Sequence, residues 1–149
     1  MAENASFTVI DANYAQDYPL LRAVREPVFV IEQQVPLALE WDEIDPDCHH
    51  VLAFDAQQNP IGTGRLTPAH TIGRMAVLPA WRGHGVGDAL LLRLISKAQE
   101  LGWPSVSLHA QISALGFYHK HGFQAYGPVY EEAGIMHQSM SLMLTNNGN

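Results

Sequence analysis

Residues 86–101 constrain the fold more than any other stretch of the chain. Val86, Leu90, Leu94 and Leu101, together with Leu91, Ile95 and Ala98, recur at helical spacing and make one wide apolar face. Asp88, Arg93, Lys97 and Glu100 fall mainly on the other side. Gly102 ends this helix as a left-handed cap, and Pro104 prevents its continuation. Such a face must be covered, and the flanking sequence supplies strands to cover it. His50 to Asp55 and Ile61 to Thr67 flank the turn-rich Gln57-Gln58-Asn59-Pro60 and read as an antiparallel hairpin, with a third strand from Ile72 to Leu78. Behind the helix come a strand at Ser105 to His109, a helix capped by Ser113 and running through Lys120 to Gly122, and strands at Phe123 to Tyr126 and His137 to Leu144.

The N-terminal part reads as a strand from Phe7 to Ile10 and a helix capped by Asp17 that runs toward Arg25. Pro27 then starts a second short helix, Val28 to Gln34, which Pro36 closes. Glu40 to Asp47 holds five carboxylates with Trp41 and Ile44 among them, which predicts an exposed acidic loop with apolar anchors. The tail Asn146–Asn149 reads as frayed. The pattern is α+β with a mixed sheet, and 149 residues predict a single domain over 1–149.

Charge and composition exclude several functions. A net charge of −7 with 8 Lys and Arg is wrong for general nucleic-acid binding, which relies on neutralising phosphates. No apolar run approaches the roughly 20 residues that span a bilayer, and Met1–Asn4 lacks the marks of a secretory leader, so a cytoplasmic protein without a membrane partner is expected. Cys48 is the single cysteine and forms no internal disulfide. Cys48-His49-His50 is not read as a metal site, because neighbours on a strand point to opposite faces and no further ligand is spaced to join them.

Between Pro79 and the long helix lies Arg82-Gly83-His84-Gly85-Val86-Gly87. Glycines let the backbone approach a ligand at positive φ, and the first turn of the helix directs unpaired amides and the positive end of its dipole at that place. Arg82 adds a forked cation there and His84 a charge when protonated. Alone, the loop fits an anion site or a tight connection whose glycines serve packing. Its spacing differs from the dinucleotide fingerprint, and it lacks the Gly-Lys-Ser/Thr ending of a P-loop.

The run Ile72-Gly73-Arg74-Met75-Ala76-Val77-Leu78-Pro79-Ala80-Trp81 and the loop after it resemble the signature of the GNAT superfamily of N-acetyltransferases, a strand ending in Val-x-Pro followed by Arg/Gln-x-x-Gly-x-Gly. Leu108-His109-Ala110-Gln111, Ala114 and Phe117-Tyr118-His119-Lys120-His121-Gly122-Phe123 resemble its second signature. The resemblance implies a mostly antiparallel mixed sheet flanked by helices, with a splayed strand pair that holds acyl-CoA. It implies that Met75, Ala76 and Val77 bond the pantetheine arm through their backbone and that Arg82, Gly83, His84, Gly85, Val86 and Gly87 hold the pyrophosphate. Gln111 stands where the family commonly has a cofactor-binding Asn. A homodimer is a further expectation of the resemblance, although no residue marks an interface.

The implied reaction moves an acetyl group from acetyl-CoA to a small-molecule or lysine-type primary amine, with no metal. Tyr118 is the implied general acid for the departing thiolate, since a phenol of pKa about 10 can protonate a thiolate whose acid lies near about 8.5 through a formed hydrogen bond. Glu32, His109 and His137 are candidate bases in no firm order. The acceptor stays open: the acidic stretch suits a cationic acceptor or is merely solvated, while Arg65 and Arg74 suit an acidic one if they face the groove. The alternative function is a non-catalytic acyl-CoA sensor or protein-interaction module.

Overall fold

The computed structural model describes residues 6–144; the Met1–Asn4 segment and the Asn146–Asn149 tail lie outside them. The strands are β1 (Phe7–Ala12), β2 (His49–Asp55), β3 (Pro60–Leu66), β4 (Thr71–Val77), β5 (Ser105–Gln111), β6 (Gln124–Glu132) and β7 (Ile135–Met143). They form one sheet in the order β1-β2-β3-β4-β5-β7-β6. Every neighbouring pair is antiparallel except β4 and β5. The helices are α1 (Tyr14–Arg25), α2 (Leu37–Glu40), α3 (Val86–Glu100) and α4 (Leu115–His119). The mixed α+β architecture agrees with the sequence pattern. No helix among the described residues is long and apolar enough to cross a membrane.

Strand alternation explains why helices cover both faces. On β2, Val51 and Ala53 join the core of α3, with Leu90, Leu91, Leu94 and Ala98, while Leu52 and Phe54 pack with Leu21 of α1 on the other face. Each fully buried leucine of this kind contributes about 1.5–3 kcal/mol. Gly62 of β3 lets α3 lie close, because a Cβ there would meet Leu90 Cδ1 and Val86 Cγ1, both at 2.9 Å. Gly62→Ala should therefore cost about 1–3 kcal/mol by overpacking. A lower urea midpoint at unchanged slope checks it; an unchanged midpoint would show that the helix shifts freely.

The N-terminal helices differ from the expectation. Asn13, not Asp17, is the N-cap: its side chain accepts from Gln16 N at 3.0 Å, and Asp17 accepts from Asn13 N at 2.8 Å. Pro27 does not start a separate helix either. Residues Glu26–Glu32 continue α1 as wider π-type turns, with Gln33 N donating to Val28 O at 3.0 Å. Proline cannot donate the regular bond, yet the chain runs on through Pro27 in wider turns, as it runs through Pro19 within α1. Ser113 makes no cap, and a short 3-10 turn, Ile112–Ala114, precedes α4. The last two strands are longer than their apolar patterns, because a register shift between Tyr126 and Tyr130 carries β6 past Gly127-Pro128.

Candidate active site

The parallel pair β4 and β5 is matched only at Thr71 with Ser107 and Ile72 with Leu108. Beyond that point β4 bends away. Between Thr63 and Arg65 the β3–β4 register shifts, so that Arg74 and Met75 together oppose Gly64, and Arg74 takes the left-handed conformation with φ 49°. An extra residue in one strand bends it, and this bulge opens the gap. Leu78 N donates to Ile61 O at 2.9 Å. Antiparallel alternation therefore turns the Val77 amide and carbonyl toward the gap and returns those of Ala76 to Thr63. Of the three residues expected to bond a ligand through their backbone, Ala76 is thus committed to β3.

At the end of β4, Gly83 and Gly85 have φ of 82° and 86°, a conformation that disfavours any side chain. Gly85 is the N-cap of α3, and no side chain caps this helix. The first-turn amides are left for an outside acceptor, which fits a phosphate. Gly87 keeps the turn close to Phe117, whose ring would lie 3.4 Å from a Cβ there. His84 is exposed and edges onto Trp81 at 5.6 Å. Arg82 faces another partner. Its Nη1 and Nη2 donate to both oxygens of Glu32 at 2.8 and 2.7 Å, and its Nε donates to Val77 O at 2.9 Å. The Arg82 bonds hold the Glu32 carboxyl below its ordinary range, so Glu32 is a poor proton acceptor.

A cleft of about 600 Å³ opens where the strands part and brings together Met75, His109, Gln111, Tyr118 and His137. Glu32, Ala76, Val77 and the glycine loop do not line it. The Tyr118 ring packs against Phe117 and Phe123 at 5.0 and 5.9 Å, and burial pushes its phenol up to about 12. His137 Nδ1 lies 2.7 Å from the Ile135 carbonyl. A carbonyl only accepts, so Nδ1 carries the proton and Nε2 of the neutral ring keeps a free lone pair. His109 is half exposed and meets Glu132 Oε1 through Nδ1 at 3.2 Å. Gln111 Nε2 donates to Gln33 Oε1 at 2.9 Å, a bridge from β5 to the end of the π-type turns.

The acidic stretch is only in part the exposed loop expected of it, since Asp42, Glu43 and Asp47 are exposed but Glu40 and Asp45 turn inward. Helical spacing puts Arg25 on the face of α1 that also buries Leu21 and Val24, and a cation there requires carboxylates. Arg25 Nε pairs with Glu40 at 2.6 Å and Nη1 with Asp45 at 2.9 Å. Arg65 Nη1 pairs with Asp45 at 2.7 Å and with Asp42 at 2.9 Å. Arg25 also lies 3.8 Å from the centre of the Trp41 ring. Glu40 and Asp45 are buried, whereas Glu43 and Asp47 remain exposed. Of the Cys48-His49-His50 run, His49 reaches Asp11 and His50 the Asp45 carbonyl. Among the described residues no group of three or more His, Cys, Asp and Glu is placed to hold a metal.

Known proteins resemble this chain in sequence and fold. A family model described as an acetyltransferase (GNAT) domain matches residues 24–144. The chain belongs to the GNAT acetyltransferase family. Its relatives include the uncharacterised protein YyaT of Bacillus subtilis, 36% identical over 130 residues that cover 83% of this chain and 87% of the other. The uncharacterised N-acetyltransferase YjcF of the same organism is 36% identical over 121 residues, covering 78% and 86%. Among solved structures, an acyl-CoA N-acyltransferase from Pseudomonas aeruginosa superposes with a TM-score of 0.80 at 31% identity, over 92% of this chain and 99% of that one. Escherichia coli ElaA gives 0.77 at 29% identity, over 93% and 99%.

As a GNAT domain the protein is an acyltransferase, for which the family implies an acyl-CoA cosubstrate. The parted strands and the uncapped turn at Gly85 have the donors that such a group needs. Sequence reasoning missed Gln33, Glu132 and the carboxylates that hold the arginines. Arg65 and Arg74 were the available signal, since guanidiniums on apolar inner strands call for buried acids. Glu132 and Gln33 left no local signal, lying 23 and 78 residues from their partners.

Proposed function

We propose that this GNAT protein moves an acetyl group from acetyl-CoA to a primary amine by direct attack. The supporting observation is a cleft that joins Met75, beyond the point where β4 leaves β5, to Tyr118 and His137. Met75 and Val77 offer backbone groups to the pantetheine arm, with Ala76 fixing their register. The loop from Arg82 to Gly87 holds the pyrophosphate, and Gln111 keeps its amide oxygen for the cofactor arm. The attacking amine must be neutral and the departing thiolate must gain a proton. His137 Nε2 takes the amine proton, directly or through water, and the Tyr118 phenol supplies one to sulfur. His109, oriented by Glu132, is the second base, while Glu32 serves to hold Arg82.

Incubation with acetyl-CoA and a panel of amines tests this reading through free thiol release. Acetyl-CoA that raises the melting temperature while no amine yields thiol would favour a non-catalytic acyl-CoA sensor. His137→Asn should lower kcat/KM about tenfold at neutral pH, with His109 and water carrying the remaining proton transfer. The loss should shrink as pH rises and the amine sheds its own proton. An unchanged pH profile would move the role of base to the His109–Glu132 pair.

A further inference from the structure

One wall of the cleft carries donors that the protein leaves unused. The Arg65 side chain is 8% exposed; Nη1 and Nη2 bond Asp42 and Asp45, yet Nε is buried without a partner. Arg74, on the same wall, is held loosely. Its Nε lies 3.1 Å from Glu40 O, its Nη2 3.3 Å from both Leu39 O and Asp42 Oδ2, and its Nη1 has no protein acceptor among the described residues. A guanidinium has five N–H donors, and buried donors are nearly always satisfied by something. The Arg65 Nε is sealed from solvent, so an acceptor group from outside the chain would complete the Arg74 fork, where Nη1 is left over.

The charges agree. Three guanidiniums, Arg25, Arg65 and Arg74, face three carboxylates, Glu40, Asp42 and Asp45. Arg74 is the loosest paired of the three, 3.5 Å from Glu40 and 3.3 Å from Asp42. Burial and the nearby Arg65 pull Arg74 down in turn, as befits a cation among cations. The opposite wall carries His109, Glu132 and His137, groups that attract an ammonium and take its proton. The cleft thus sets an underused guanidinium on one wall and two imidazoles on the other.

We propose that the acceptor is a small amine bearing its own carboxylate, an amino-acid-type molecule whose carboxylate meets Arg74 while its amine faces His137. This rests on the acyl-transfer reading above. A lysine side chain of a protein, or a polyamine, offers nothing to the Arg74 guanidinium, whereas a carboxylate matches its fork.

Matched sets decide it: α-amino acids, β-alanine and γ-aminobutyrate, each beside its amide and its decarboxylated amine, assayed with acetyl-CoA by thiol release. At least one acid should exceed both of its partners in kcat/KM by tenfold or more. Arg74→Gln should then bring that ratio toward one. The comparison on the unmodified protein decides even where the variant does not fold. Amides or plain amines used as well as every acid would overturn the carboxylate assignment and leave acyl transfer standing. Thiol release with none of the amines would overturn acyl transfer to amines and this assignment with it.

Discussion

Asp45→Asn should destabilise the protein by about 3–5 kcal/mol, read as a lower urea midpoint at unchanged slope. Asp45 is fully buried and bonds both Arg25 and Arg65, so the near-isosteric amide leaves two guanidiniums short of a counter-charge in the interior. Against a total stability of about 5–15 kcal/mol, that loss brings the variant near unfolding. Adding Arg25→Met should recover part of it, because the cost lies in the orphaned cation more than in the missing contact. No recovery would mean that Asp45 acts through its bond with the Asp42 amide, 3.0 Å long. The same carboxyl governs the acid limit. Burial opposes its ionisation, but the Arg25 bond, the Asp42 amide and Arg65 overcome it and lower the pKa from 3.8 to about 2. A depressed carboxyl contributes stability above its unfolded pKa and loses it as pH falls through the folded one. The native protein should therefore lose this part between about pH 4 and pH 2, and Asp45→Asn should show a flatter acid limb.

Tyr118→Phe should lower kcat about a hundredfold or more, with KM for acetyl-CoA changed little. The substitution removes one oxygen and keeps the ring that packs on Phe117 and Phe123, so the wall of the cleft survives. With its phenol pushed up to about 12 by burial, Tyr118 stays protonated wherever the enzyme would work and enters as a donor only. The acid limb of the rate profile should then belong to the base, and its shape should be the same in Tyr118→Phe. A turnover number within twofold of the native one would remove Tyr118 from the reaction.

The elements whose order is written in local periodicity were readable. The 3.6-residue stripe from Val86, the glycine stop at Gly102 and the hairpin around Asn59-Pro60 need no distant partner to declare themselves. Where sequence reading failed, the deciding partner lies far along the chain. Glu40 and Asp45 look like surface acids until Arg25 and Arg65 are brought against them, 15 and 20 residues away. Glu32 looks like a free base until Arg82 folds onto it across 50 residues. Pro27 misled for another reason: a missing N–H need not end a helix, for α1 runs through Pro19 and the wider turns run through Pro27, where Val28 and Phe29 are buried.

The bulge at Arg74 sets a conflict that laboratory evolution would expose. A side chain at φ 49° carries about 1–2 kcal/mol of backbone strain, which glycine at that position would relieve. Selection for heat resistance alone would thus be drawn toward Arg74→Gly, while selection for turnover would hold the guanidinium in place. The two pressures meet at one codon.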